Sequence, residues 1–270
     1  MNIKLILMDL DGTLFSKAGE IPLINITALK ECQRRGIHLA LVSGRGFAFI
    51  KRVAERIGID CAIVSANGAR IEAGANGPCI FEGTYEEDAG RYVMNAMIEA
   101  DVNFEAYTRD INYVYKPELM PERHARNLQM NIAAGDVVAE FDTEKMKIHA
   151  PSTAYKFVAF TTDDESFIRA RDVLDKHGIK HCSSASRNLE VMPDGIDKGF
   201  AVRKLSEYFG IEIDETMAFG DYTNDIDMLK ACGHPVAMMN AVDEVKAVAE
   251  FIAPLNTDGG VGAFIIENVL

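Results

Sequence analysis

Apolar residues along this chain fall into two patterns. Short uninterrupted apolar runs occur at 5–8, 39–42, 62–64, 217–219 and 236–238. They lack polar alternation, as expected of strands buried on both faces of a parallel sheet. Helical periodicity covers 26–35, 47–57 and 198–209, and each stretch runs into a glycine: Gly36, Gly58 or Gly210. Glycine ends helices readily because it accepts a left-handed backbone. Strand, helix and strand in succession predict right-handed crossovers and a doubly wound, Rossmann-like α/β core with a parallel sheet.

The middle of the chain has another rhythm. After Ser65-Ala66-Asn67-Gly68-Ala69 comes a hairpin-like stretch and then a strong helical pattern at 85–100. Strand patterns follow at 102–107 and 111–115, with Arg109-Asp110 near the turn. A second round reads as strand at 155–160, helix at 165–177, and strands at 180–184 and 189–192. Two strand–helix–strand rounds predict an inserted α+β cap domain over 82–187, with 1–81 and 188–270 forming the core. The stretch 135–149 yields no pattern.

Composition narrows the class. The 270 residues are 48% hydrophobic and 26% charged, an ordinary globular balance. Asp plus Glu number 41 against 28 Lys plus Arg, a formal charge of −13. Such a surface repels nucleic acid and anionic membranes, and no apolar run is long enough for a membrane span. The N-terminal segment meets two acids too early for a secretion signal. Five cysteines at 32, 61, 79, 182 and 232 have neither zinc-site spacing nor an even count, which fits a reducing cytoplasm.

Against that background four polar clusters stand out. Asp9-Leu10-Asp11-Gly12-Thr13 directly follows the first apolar run. Residues two apart in extended chain face one side, so Asp9 and Asp11 can meet one substrate, and their mutual repulsion invites a hard divalent cation. Ser43-Gly44-Arg45 follows the run at 39–42; a hydroxyl and backbone N–H groups at a helix start can cradle an anion. Gly220-Asp221-Tyr222-Thr223-Asn224-Asp225 follows the run at 217–219 and is rich in oxygen ligands. Lys198 opens a helix, where its charge opposes the dipole and calls for a compensating anion. Each cluster alone has a plainer reading as an acidic turn, an N-cap, an Asx turn or a solvated lysine. Together they belong to one edge of a parallel sheet, where ligands of open α/β folds bind.

At these residues the chain resembles the haloacid dehalogenase superfamily, and within it the Cof-type phosphatases with a large α/β cap. The likeness runs from D-x-D-G-T through S-G-R, S-A-N-G and D-K-G to G-D-x-x-N-D. It implies Asp9 as the nucleophile that forms an aspartyl-phosphate and Asp11 as general acid, then base. It implies phosphate binding by Ser43, Gly44, Lys198 and Asn224. Mg²⁺ would be held by Asp9, Asp11 (through its carbonyl), Asp221 and Asp225. Arg45 and Asn67 are added as substrate contacts. Tyr222 and Ser43 stand where many members have Asn and Thr. The cap is expected to cover the site, with Arg109, Asn112, Tyr113, Tyr115, Arg123 and His124 as candidate sugar contacts. His149, His177, His181 and His234 lack ligand spacing and are expected to be structural.

The function expected is a Mg²⁺-dependent phosphatase of small phosphate esters, with sugar phosphates favoured, in a cytoplasmic monomer or homodimer. A phosphosugar mutase and a non-catalytic phospho-ligand sensor are the alternatives. Dehalogenation is disfavoured, because a departing halide has no need of the proton that Asp11 offers.

Overall fold

The computed structural model describes residues 1–16, 19–109, 111–133 and 143–270. Asp110 and positions 135–142 of the patternless stretch lie outside the described residues. The chain divides into two units, Met1–Glu82 with Ile196–Leu270, and Gly83–Gly195.

The first unit begins with β1 (Leu5–Met8), α1 (Leu23–Arg34), β2 (His38–Val42), α2 (Phe47–Ile57), β3 (Ala62–Ser65), β4 (Arg70–Glu72) and β5 (Cys79–Glu82). The second unit supplies α3 (Glu87–Glu99), β6 (Asn103–Thr108), β7 (Tyr113–Tyr115) and α4 (Glu122–Ala133). It continues through α5 (Thr143–Thr153), β8 (Ala154–Phe160), α6 (Asp164–Lys176) and β9 (Asn188–Val191). The first unit then resumes with α7 (Lys198–Phe209), β10 (Thr216–Gly220), α8 (Ile226–Ala231) and β11 (His234–Met238). It closes with α9 (Asp243–Lys246), β12 (Phe251–Ala253) and α10 (Gly260–Asn268).

In the first unit eight strands make one sheet in the order β12-β11-β10-β1-β2-β3-β4-β5. It is parallel from β12 to β3 and ends in the antiparallel hairpin β4–β5. All four residues of β1 are buried, as a strand covered on both faces must be. Met8 lies opposite both Phe219 of β10 and Leu41 of β2. The loops that leave β1, β2 and β10 therefore emerge side by side at the carboxyl edge. Gly58 and Gly210 end α2 and α7 in the left-handed conformation, at φ 67° and 64°.

The second unit is an antiparallel sheet, β7-β6-β8-β9. Its core joins Val93, Met94 and Met97 of α3 to Phe104, Phe157 and Leu189. Two expectations change here. The return to the first unit comes at Ile196 rather than 188, because β9 pairs with β8 and so belongs to this sheet. The strand expected at 180–184 shrinks to a single bridge, Cys182 with Glu190. Asn188 is the reason: its side-chain oxygen accepts the amides of Ser184 and Ala185, folding them into a turn. No helix among the described residues is long and apolar enough to cross a membrane.

Candidate active site

The first unit gathers four charged side chains at the carboxyl edge of its sheet. Asp9 continues β1, its N–H bonded to the carbonyl of Phe219 at 3.1 Å. The chain then turns sharply through Gly12, at φ +89°, and Leu14 N–H returns to the carbonyl of Asp9. A Cβ at Gly12 would lie 2.2 Å from an Asp221 carboxylate oxygen, so both the turn and that close approach demand glycine.

Lys198, wholly buried at 0% exposure, is the first residue of α7. Its Nζ donates to Asp9 Oδ1 and to Asp225 Oδ1, each at 2.6 Å. These are the anions that a lysine at a helix N-terminus requires. Asp197 before it caps the helix, accepting the Phe200 N–H at 2.6 Å. Asp225 is fixed in turn by the backbone amides of Asp221 and Tyr222, both donating to its Oδ2. Asp221 accepts a hydrogen bond from Thr13 Oγ1 at 3.0 Å.

Carboxylate oxygens of Asp9, Asp221 and Asp225 lie within 4.8 Å of one another. Three buried carboxylates thus face one ammonium. Burial pushes Asp9 well above the ordinary carboxylate range; Lys198 opposes this, while Asp225 and Asp221 add to it. Burial, then repulsion from Asp225, raises Asp221 to about 7. Burial works against the charge of Lys198, but Asp225 and Asp9 outweigh it and push its pKa up. The cluster is short of positive charge and rich in hard oxygen donors, a combination that fits a divalent cation.

The Asp11 side chain is half exposed and pairs with Arg45. Arg45 grips it side-on, Nε to Oδ2 at 2.6 Å and Nη2 to Oδ1 at 2.8 Å. Ser43, next to the end of β2, is buried; its Oγ accepts the Arg45 N–H at 3.2 Å and its carbonyl accepts the Asn67 N–H at 3.0 Å. Gly44 occupies the bend between Ser43 and Arg45. Asn67 and its neighbours Ala66 and Gly68 all have positive φ, and a Cβ at Gly68 would strike the Asp197 carbonyl at 2.4 Å. Asn224 reaches the Asn67 side chain at 3.4 Å.

Of the predicted residues, Asp9, Lys198, Asp221 and Asp225 come together directly. Ser43, Arg45, Asn67 and Asn224 form the adjoining network. Two residues enter the site to which the sequence patterns assign no role. Thr13 lies inside the D-x-D-G-T motif, and its role is the hydrogen bond to Asp221. Asn240 follows β11 and donates to the Gly12 carbonyl at 2.8 Å, bracing the turn after Asp9. Its position just past a parallel strand is the one sequence signal that points to it. Phe49, one turn beyond Arg45, lies under the guanidinium at 4.2 Å.

The candidate sugar contacts belong to the second unit. Tyr113 is part of its core, and Tyr115 packs against that core with its ring stacked on Phe104. His124 stacks on Phe160 with its Nε2 3.2 Å from Glu105 Oε2, a close approach without hydrogen-bond alignment. Asn112 is buried, whereas Arg109 and Arg123 are exposed.

Comparison with known proteins agrees with this arrangement. The family model for haloacid dehalogenase-like hydrolases matches residues 6–265. The Bacillus subtilis 5-amino-6-(5-phospho-D-ribitylamino)uracil phosphatase YwtE is 28% identical across 97% of each chain. Phosphatase YwpJ from the same organism is also 28% identical, across 99% of this chain and 100% of its own. A haloacid dehalogenase-like hydrolase structure from B. subtilis superposes with a TM-score of 0.85 at 26% identity, covering 99% of this chain and 100% of that one. One from Bacteroides thetaiotaomicron gives 0.81 at 28% identity, with 98% and 99% coverage. The chain therefore belongs to the haloacid dehalogenase-like hydrolases, as a phosphatase of the Cof type.

Proposed function

We propose that the protein hydrolyses small phosphate monoesters, sugar phosphates foremost, through an aspartyl-phosphate on Asp9 with Mg²⁺ as cofactor. The observation that carries this reading is Lys198, buried between Asp9 and Asp225 and flanked by Asp221. A buried lysine balanced by one carboxylate would be structural; here three carboxylates leave a deficit of positive charge. Asp9, Asp221 and Asp225 are the side chains that would hold the cation. When bound, it supplies the positive charge that lets an anionic nucleophile approach an anionic phosphoryl group.

This chain's residues account for the rest. Lys198 engages Asp9 Oδ1, leaving Oδ2 to attack phosphorus. As that P–O bond forms, the ester P–O bond breaks and the departing alkoxide takes a proton from Asp11. Asp11 then accepts a proton from water, whose oxygen attacks phosphorus and releases Asp9 and inorganic phosphate. The Ser43–Arg45 bend and Asn224 offer donors for phosphoryl oxygens, and Lys198 adds a fixed charge beside them. Support for the substrate class comes from the relative YwtE, whose substrate carries a phosphoribityl group.

The test is a panel of phosphate monoesters assayed for inorganic phosphate, with Mg²⁺ and with chelator. Sugar phosphates are expected to be turned over only with the metal. Hydrolysis indifferent to chelator removes the cation from the mechanism, and isomerised phosphosugar without net phosphate release makes the protein a mutase.

A further inference from the structure

The grip of Arg45 on Asp11 conflicts with the role just given to Asp11. Both carboxylate oxygens receive N–H donors from the guanidinium. An acid that must carry a proton on one oxygen and pass it to an alkoxide cannot do so while a cationic fork occupies both. One member of the pair has to leave.

The surroundings identify which. The Arg45 side chain is 13% exposed and that of Asp11 50%. Arg45 is braced at three points: its N–H bonds to Ser43 Oγ, its carbonyl accepts the Ala66 N–H, and its guanidinium lies on the Phe49 ring. Asp11 sits between Leu10 and Gly12 in a turn with extended φ and ψ, its side chain toward solvent. The arginine is the fixed member and the carboxylate the movable one. A phosphate dianion offers the same fork a second bidentate partner with more charge.

We propose that Arg45 is a latch: it parks the Asp11 carboxylate until a phosphoryl group takes over the guanidinium, which frees Asp11 for proton transfer. The inference rests on the phosphatase reading and adds an ordering to it. Phosphate binding and release of the acid become one exchange at one guanidinium. Arg45 acts on the proton transfer through Asp11, as a positioning residue, and on the ester directly, through its phosphate.

A binding cycle tests the latch. Inorganic phosphate is titrated calorimetrically, with Mg²⁺ present, into wild type, Asp11→Ala, Arg45→Gln and the double variant. Removing Asp11 takes away the carboxylate that competes for the fork. Asp11→Ala should therefore bind phosphate about two- to fivefold more tightly than wild type, the range expected for releasing a half-exposed ion pair. In the Arg45→Gln background the same change should give no tightening. Arg45→Met, which removes the charge and keeps an unbranched side chain on the Phe49 ring, serves the same purpose if the glutamine variant fails to fold. In turnover, Arg45→Gln should raise KM about tenfold or more with a smaller change in kcat, as loss of a charged hydrogen bond to the ester predicts.

Equal tightening with and without Arg45 would mean that Asp11 merely repels phosphate, and the latch would be wrong. So would no tightening at all in Asp11→Ala. Either result alongside normal wild-type turnover overturns the latch alone. A wild-type protein that neither binds phosphate nor releases it from any ester overturns the phosphatase reading with it.

Discussion

Each unit buries a lysine against carboxylates, and the two arrangements differ in their balance. In the second unit Lys156 of β8 meets Glu190 of β9 at 2.9 Å, with both side chains 3% exposed. Ser184 Oγ and Asn188 Nδ2 complete the glutamate's shell, and the Tyr107 ring lies 4.6 Å from the ammonium. One positive charge answers one negative charge, and the remaining lone pairs have donors. In the first unit Lys198 faces Asp9, Asp221 and Asp225 together, and the pKa values of Asp9 and Asp221 are driven upward. Balance marks a pair that holds structure, whereas a surplus of one sign marks a place prepared for a missing ion or substrate.

The comparison can be broken most severely at Asp9. Asp9→Asn should lower phosphate release by at least about a thousandfold, the scale of losing a covalent nucleophile, while circular dichroism stays that of wild type. Near-normal turnover would dismiss Asp9 from the chemistry. The balanced pair should respond in the opposite sense. Lys156→Met leaves Glu190 charged and buried, costing about 3–5 kcal/mol in denaturant unfolding, and adding Glu190→Gln should recover most of it. An unchanged unfolding midpoint in Lys156→Met would deny that the pair is structural.

The smallest effect sharpens the electrostatic contrast. Asp221 has a folded-state pKa of about 7 against an ordinary 3.8. Without metal, the native protein therefore holds a proton across that window that the unfolded chain has given up. Native stability in chelator should fall as pH rises from about 4 through about 7. Saturating Mg²⁺ favours the ionised carboxylates and should abolish the slope. Thermal midpoints at about pH 5 and pH 8, with and without Mg²⁺, read this out; a chelated protein that gains stability toward pH 8 would contradict it.

Elements whose boundaries depend on local chemistry are legible in the sequence. β1, α2 and α7 fall on the residues expected, because an apolar run or a helical face ends against an acid or a left-handed glycine. Where a side chain captures the backbone, as Asn188 does at 184–185, the apolar pattern misleads. α5 stays hidden because its few apolar residues do not share one buried face: Met146 and Ala150 are buried while Ile148 is exposed. Within the site, Asp9, Lys198, Asp221 and Asp225 are legible as acids and a lysine placed just past strands or at a helix mouth. Their mutual distances are not.

The order of residues by itself determined five of the six described parallel strands, all but β12, and the clusters that had to lie at one edge of the sheet. These follow from short-range physics: burial periodicity, backbone conformation and helix-end charge act over a few residues. Only the tertiary structure decided that Lys198 serves two carboxylates at once and that Arg45 holds Asp11, 34 positions away. Such pairings depend on which strands are neighbours, and β2 comes to lie beside β1 only when the whole sheet is assembled.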